Sequence, residues 1–201
     1  MAEPLYSRSQ FMTIIHIFTE ELSLKKVLDN ILPKILPSET HFRIYPHQGK
    51  EDLQRALTTT LPSISIIPGS KILITRDQDN NDCVVLKKQI YDLVNGNCAC
   101  DFSIRIICKE LEAWFLGDIE AIEKAYPRFK LGHYINKAEY RNVDRIHYAN
   151  KQLLRIIPEF SGRESLPKLE VSENISQYME IEKNKSISFI HTIKAIQKFA
   201  K

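Results

Sequence analysis

The segment Lys71-Ile-Leu-Ile-Thr-Arg-Asp77-Gln-Asp79 constrains this chain more than any other. It is a short, continuous apolar run of the kind that forms a buried parallel strand, and it ends in two acids one residue apart. In open α/β sheets, ligands and metals bind in the crevice beyond the carboxyl ends of the strands, so Asp77 and Asp79 are placed to share a hard cation. A second run, Thr13-Ile-Ile-His-Ile-Phe18, ends in the same manner at Thr19-Glu20-Glu21, before a helix expected from Leu22 to about Leu36. If the two strands are neighbours, Glu20 meets Asp77 and Asp79.

The rest of the first two thirds alternates strand and helix. Thr40–Tyr45 alternates polar and apolar residues, and Phe102–Cys108 is a further apolar strand. Helices are expected from Glu51-Asp52, carrying Leu53, Ala56 and Leu57, and from Asp82 to Val94, burying Val85, Leu86, Ile90 and Leu93. Pro62 to Ser70 reads as a loop. This order defines an α/β fold with a mostly parallel central sheet flanked by helices. A helix through Glu110–Leu116 breaks at Gly117, restarts at Asp118 as an N-cap and stops at Pro127. We place the α/β core at residues 1–127 and a helical, basic extension packed on it at 128–201, ending in the amphipathic helix Ser188–Phe199. Residues 1–11 read as a loose leader.

A 43% hydrophobic content is ample for a sizeable core at 201 residues. No apolar run approaches the roughly 18 residues of a membrane span. The N-terminus lacks the basic-then-apolar order of a signal peptide, so a cytoplasmic location without membrane contact is expected. The formal charge of +3 permits an acidic partner such as nucleic acid. Cys83, Cys98, Cys100 and Cys108 lack paired zinc-site spacing and are expected to be reduced, Cys83 and Cys108 as small buried hydrophobes.

Phosphoryl chemistry on a divalent ion takes two or three carboxylates that leave room for waters and a phosphate, and Glu20, Asp77 and Asp79 supply that number. The competing reading makes these acids simple loop and helix caps. Several fragments bear on the choice: Thr19-Glu20-Glu21, Pro46-His47-Gln48-Gly49-Lys50, Asp77-Gln-Asp79-Asn-Asn-Asp82-Cys83, Glu110-Leu-Glu112-Ala-Trp114-Phe-Leu-Gly117-Asp118, Ala125-Tyr126-Pro127, Tyr140-Arg141-Asn-Val-Asp144 and Asn184-Lys-Ser186-Ile-Ser188-Phe189. Together they resemble the bacterial domain-of-unknown-function family 4276, over nearly the whole chain. That family is regarded as Toprim-like. The resemblance implies the fold of topoisomerase and primase catalytic domains, with Glu20, Asp77 and Asp79 as catalytic metal ligands for Mg²⁺ or Mn²⁺. It further implies a nuclease acting on DNA or RNA, serving bacterial anti-phage defence as the effector beside an ATPase partner. Glu21 stands where Toprim proteins usually carry glycine.

Glu110 and Glu112, two residues apart, cannot face one way on a helix, and Glu110, nearer the strand end, is taken as the further metal ligand. Lys50, beside the Gly49 turn, and Arg141, Arg163 and Lys168 in the basic extension are the expected contacts to substrate phosphates. Trp114 and Phe115 read as core, His16 as a satisfied core histidine, and Ser186 as part of a cap for the last helix. Two other functions stand beside the nuclease: a non-enzymatic module regulating a partner ATPase, and a nucleotidyl-transfer enzyme of the primase type. Homo-oligomers are compatible with any of these.

Overall fold

Every strand expected from the apolar runs forms, and the four join one all-parallel sheet. In the computed structural model, which describes residues 12–201, these are β1 (Ile14–Thr19), β2 (His41–Pro46), β3 (Ser70–Asp77) and β4 (Phe102–Ile107), in the order β2-β1-β3-β4. The expected leader over residues 1–11 lies outside the described residues. β1 and β3 are hydrogen-bonded neighbours in parallel register, Thr19 opposite Thr75 and Thr19 opposite Pro46 on the other side. Period-two alternation divides the strand residues between two cores: Ile15, Ile17, Leu73 and Ile107 enter one, Phe18, Ile72, Ile74, Ile104 and Ile106 the other. Both faces must therefore be covered by helices.

One face is covered by α2 (Lys50–Thr59), α3 (Leu61–Ser65) and α4 (Cys83–Val94). α3 replaces the first half of the expected loop, because Pro62 in a first helical turn has no N–H to lose there. α4 buries Leu86, Ile90 and Val94, whereas Val85 is 55% exposed. Leu86 and Ile90 are buried as expected, Val94 joins them, and Leu93 is half-buried, while Asp82 caps the helix, its carboxylate accepting from Val84 N and Val85 N at 2.9 Å each. Cys83 and Cys108 are only partly buried, so neither is the fully buried hydrophobe expected.

The other face carries α1 (Leu22–Ile35) and the C-terminal helices. α8 (Lys168–Ser176) lies along α1, α7 (Ala149–Ile156) against α5 (Glu112–Gly117), and α9 (Ile187–Phe199) against β4 and β3. Residues from 128 onward thus share one apolar cluster with α1 and β1. Among the described residues, no helix is long and apolar enough to cross a membrane.

α5 is fixed with particular care. Trp114 is fully buried, donates from Nε1 to Ser188 Oγ at 3.0 Å and meets Phe189 edge-on at 5.1 Å. Phe115 is equally buried, so both aromatics are core. Asn184 donates to Trp114 O at 2.8 Å and accepts from Ser186 N at 2.9 Å, and a Cβ at Gly117 would overlap its Oδ1. Asp118 caps α6 (Ile119–Ala125) and accepts from Glu180 N at 2.7 Å, while Ser186 caps α9 through Phe189 N at 3.1 Å. The Trp-Phe-Leu-Gly-Asp and Asn-Lys-Ser-Ile-Ser-Phe segments are therefore two halves of one buried joint, which holds the second half of α5.

Candidate functional site

Strand order β2-β1-β3-β4 puts a topological switch point between β1 and β3: α1 leaves β1 toward one face of the sheet, and α4 leaves β3 toward the other. A crevice opens there beyond the strand ends. Glu20, the residue after β1, reaches across it, accepting from Asp77 N at 3.3 Å and lying 3.7 Å from the Arg76 guanidinium Nε. Asp77, the last residue of β3, accepts from Leu111 N at 3.2 Å through Oδ2. Asp79 lies on the exposed turn beyond it with φ 51°, its N–H donating to Lys109 O at 2.9 Å. A left-handed φ is tolerable for Asp and turns the chain back over the strand ends.

The β2–α2 turn closes the crevice on the β2 side. His47 donates to Thr19 O from its backbone N at 3.0 Å, and its Nδ1 lies 2.9 Å from the same carbonyl. A carbonyl only accepts, so Nδ1 is the donor of this bond. Gly49, with φ 92°, then donates to Glu20 O at 3.0 Å, and this conformation favours glycine. Lys50, the first residue of α2, is exposed beside these contacts.

Glu112, weighed against Glu110 and passed over, is the acid that points into the cluster. Its side chain is 3% exposed, and one carboxylate oxygen, Oε2, has no hydrogen-bond partner among the described residues. Its Oε1 lies 3.9 Å from Lys168 Nζ, which also lies 3.4 Å from Glu21 Oε2. Glu110, the expected ligand, instead accepts from Asn150 N at 2.9 Å and caps the start of α7. The chain after β4 takes a left-handed step at Lys109, which turns Glu110 away from the strand axis and lets α5 begin at Glu112. A strand-end rule has no way to anticipate that step, although a charged residue inside Leu-Glu-Ala-Trp-Phe-Leu was a usable signal.

Three of these acids, Asp77, Glu112 and Glu20, are raised, with burial the leading cause in each. Burial, followed by the charges of Glu112, Glu20 and Glu21, pushes the Asp77 carboxyl well above the usual range. Burial raises Glu112, with Lys168 only partly offsetting it. Burial raises Glu20 as well, and Asp79 adds to that against the pull of Arg76. At Lys168 burial opposes the charge, but Glu112, Glu21 and Asp77 together hold the ammonium above its ordinary value. The cluster is thus short of positive charge, with Arg76 and Lys168 as its near cations.

The expected phosphate contacts divide. Lys168 faces the cluster. Arg163 instead pairs with Glu170 at 3.6 Å and lies over the Phe160 ring at 5.3 Å, and Arg141 is exposed on the 3₁₀ turn Ala138–Arg141. His16 is buried, within 3.0 Å of Tyr45 OH and 3.1 Å of Ser70 Oγ, a satisfied core histidine. Cys98 and Cys100 are free thiols with sulfurs 3.9 Å apart.

The donor set suits a hard divalent cation: all-oxygen, overcharged, with one buried carboxylate oxygen lacking a partner. Among the described residues, no three His, Cys, Asp or Glu side chains stand grouped as a metal-binding set in this arrangement. Compared with known proteins, the chain matches no family model, no curated protein and no solved structure.

Proposed function

We propose that this α/β domain is a Toprim-like, divalent-metal-dependent nuclease that hydrolyses phosphodiester bonds in DNA or RNA. One observation carries the reading: at the switch point the Glu20 carboxylate reaches the end of β3, its Oε2 accepting from the backbone N of Asp77 at 3.3 Å. Glu20, Asp77 and Asp79 would hold Mg²⁺ or Mn²⁺, with the buried carboxylate of Glu112 behind them. The ion supplies Lewis-acid polarisation of the phosphoryl group and neutralises charge that develops on its oxygens.

The chain's own residues prepare the rest. Leu111 N fixes one Asp77 oxygen and Asp77 N fixes one Glu20 oxygen, so each keeps a second oxygen for the cation or for a water. The raised pKa values of Glu20 and Asp77, set first by burial, bring them nearer to the range in which a carboxylate accepts a proton from an attacking water. Lys168 and Lys50, one on each side of the crevice, offset the repulsion that a polyanion meets on approaching acids. An ATPase partner and a defence role are further parts of the proposal that rest on the family resemblance alone.

The test is incubation of the purified protein with plasmid, single-stranded DNA and tRNA, with and without Mg²⁺ or Mn²⁺. Cleavage that requires the metal is expected. Absence of cleavage of all three, with an ATPase-rich partner fraction added or not, favours the non-enzymatic regulatory module.

A further inference from the structure

Three non-glycine residues among those described adopt a left-handed backbone: Asp79 (φ 51°), Lys109 (φ 61°) and Tyr148 (φ 59°). All three line one cavity of about 60 Å³, together with Asn80, Glu110 and His147. Asp is a common occupant of this conformation. Lys and Tyr are not, because the Cβ crowds the carbonyl, and such outliers persist only where the surroundings impose them.

The surroundings here can be named. The N–H of Asp79 donates to Lys109 O at 2.9 Å, which ties the Asp-x-Asp turn to the β4 exit. Glu110 accepts from Asn150 N at 2.9 Å, which ties that exit to the first turn of α7. Ala149, directly after Tyr148, is fully buried. The chain is thus pinned directly after Tyr148, yet the residue is 57% exposed. An aromatic ring is held outward beside Asp79, in a conformation costly for its type, and its burial contributes little to the core. Lys151 Nζ lies over the ring at 4.7 Å, so the same spot carries a cation. The cavity admits water but not a nucleobase.

We infer that Tyr148 is a stacking platform for an unpaired nucleobase of the substrate, with Lys151 and Lys109 beside it for the adjoining phosphates. This rests on the nucleic-acid reading above and narrows it: the strand entering the crevice at Asp79 has its base out of the duplex, so single-stranded segments or ends are the preferred substrate. Stacking on one aromatic ring tolerates any base, since every base has a π-face. Glu110 becomes a positioning residue, holding Tyr148 to the crevice through Asn150.

The experiment measures binding of a fluorescent single-stranded oligonucleotide in an Asp79→Asn background, where cleavage is not expected, alongside thermal melting. Tyr148→Asn, which accepts the left-handed backbone but has no ring, is expected to weaken binding roughly ten- to hundred-fold with melting unchanged or raised. Tyr148→Phe keeps the ring and should bind as the parent does. A fully duplex oligonucleotide should bind more weakly and show little response to Tyr148→Asn. Equal binding by the Asn variant, or a melting temperature several degrees lower, would overturn the platform while leaving the metal site standing. If the parent binds no nucleic acid at all, platform and nuclease reading both fall.

Discussion

Gly117→Ala is the substitution whose cost follows most directly from the geometry. A methyl at Gly117 falls on Asn184 Oδ1 and close to Ser186 N, all inside a buried joint. The backbone there is not left-handed, so the effect is purely one of space. Relief means expelling Asn184, which breaks its bonds to Trp114 O at 2.8 Å and from Ser186 N at 2.9 Å. Two buried hydrogen bonds at about 1 kcal/mol each, plus overpacking of about 1–3 kcal/mol, give a loss of about 3–5 kcal/mol. For a chain of this size that is a melting-temperature drop of roughly 6–20 °C. Asn184→Ala removes the same bonds and opens most of the space, so adding Gly117→Ala to it should cost much less than it does alone, the remaining strain being the 3.0 Å approach to Ser186 N. Thermal or urea unfolding of the two single variants and the double variant reads this coupling. A Gly117→Ala loss below about 1 kcal/mol, or single-variant losses that simply add, would refute the reasoning.

Three further outcomes follow from the site. Because Asp77 is raised, the folded state binds more protons than the unfolded state from the ordinary carboxylate range up to the folded value, and stability falls as pH rises through that window. Metal-free Asp77→Asn should therefore melt above wild type at neutral pH, and the gain should shrink on acidification; a pH series of melting curves checks it. Asp82→Ala, which removes the α4 cap, should cost about 1 kcal/mol while leaving Mn²⁺ affinity unchanged, as read by calorimetry. Lys50→Ala and Lys168→Ala should each flatten the log–log salt slope of nucleic-acid binding by about one, whereas Arg163→Ala, paired with Glu170, should leave it unchanged.

Most of the sheet was legible because β1, β3 and β4 are Ile-rich runs and β2 alternates polar and apolar residues. Ile14–Thr19 and Ser70–Asp77 differ from the expected spans by one to two residues at each end. Placing Glu20 beside Asp77 needed only that β1 and β3 be neighbours, and they are. What spacing could not give was everything set by tertiary contacts. The Glu110–Glu112 choice turned on one left-handed residue, Lys109, and the exposure of Val85 with burial of Val94 turned on how α4 packs against the sheet. Lys168 faces the acids because α8 packs along α1, while Arg163, five residues earlier, pairs with Glu170 instead. A scatter of basic residues carries no signal for that division.

The central claim is that Glu20, Asp77 and Asp79 form one metal-dependent hydrolytic site. The most direct measurement compares wild type with Asp79→Asn for cleavage of single-stranded DNA and RNA in saturating Mn²⁺, with circular dichroism and melting confirming that the variant is folded. Asp79 is exposed, and the change removes a ligand charge at almost constant volume, so the fold should be intact and cleavage abolished. Undiminished metal-dependent cleavage by folded Asp79→Asn would place the chemistry elsewhere and contradict the account.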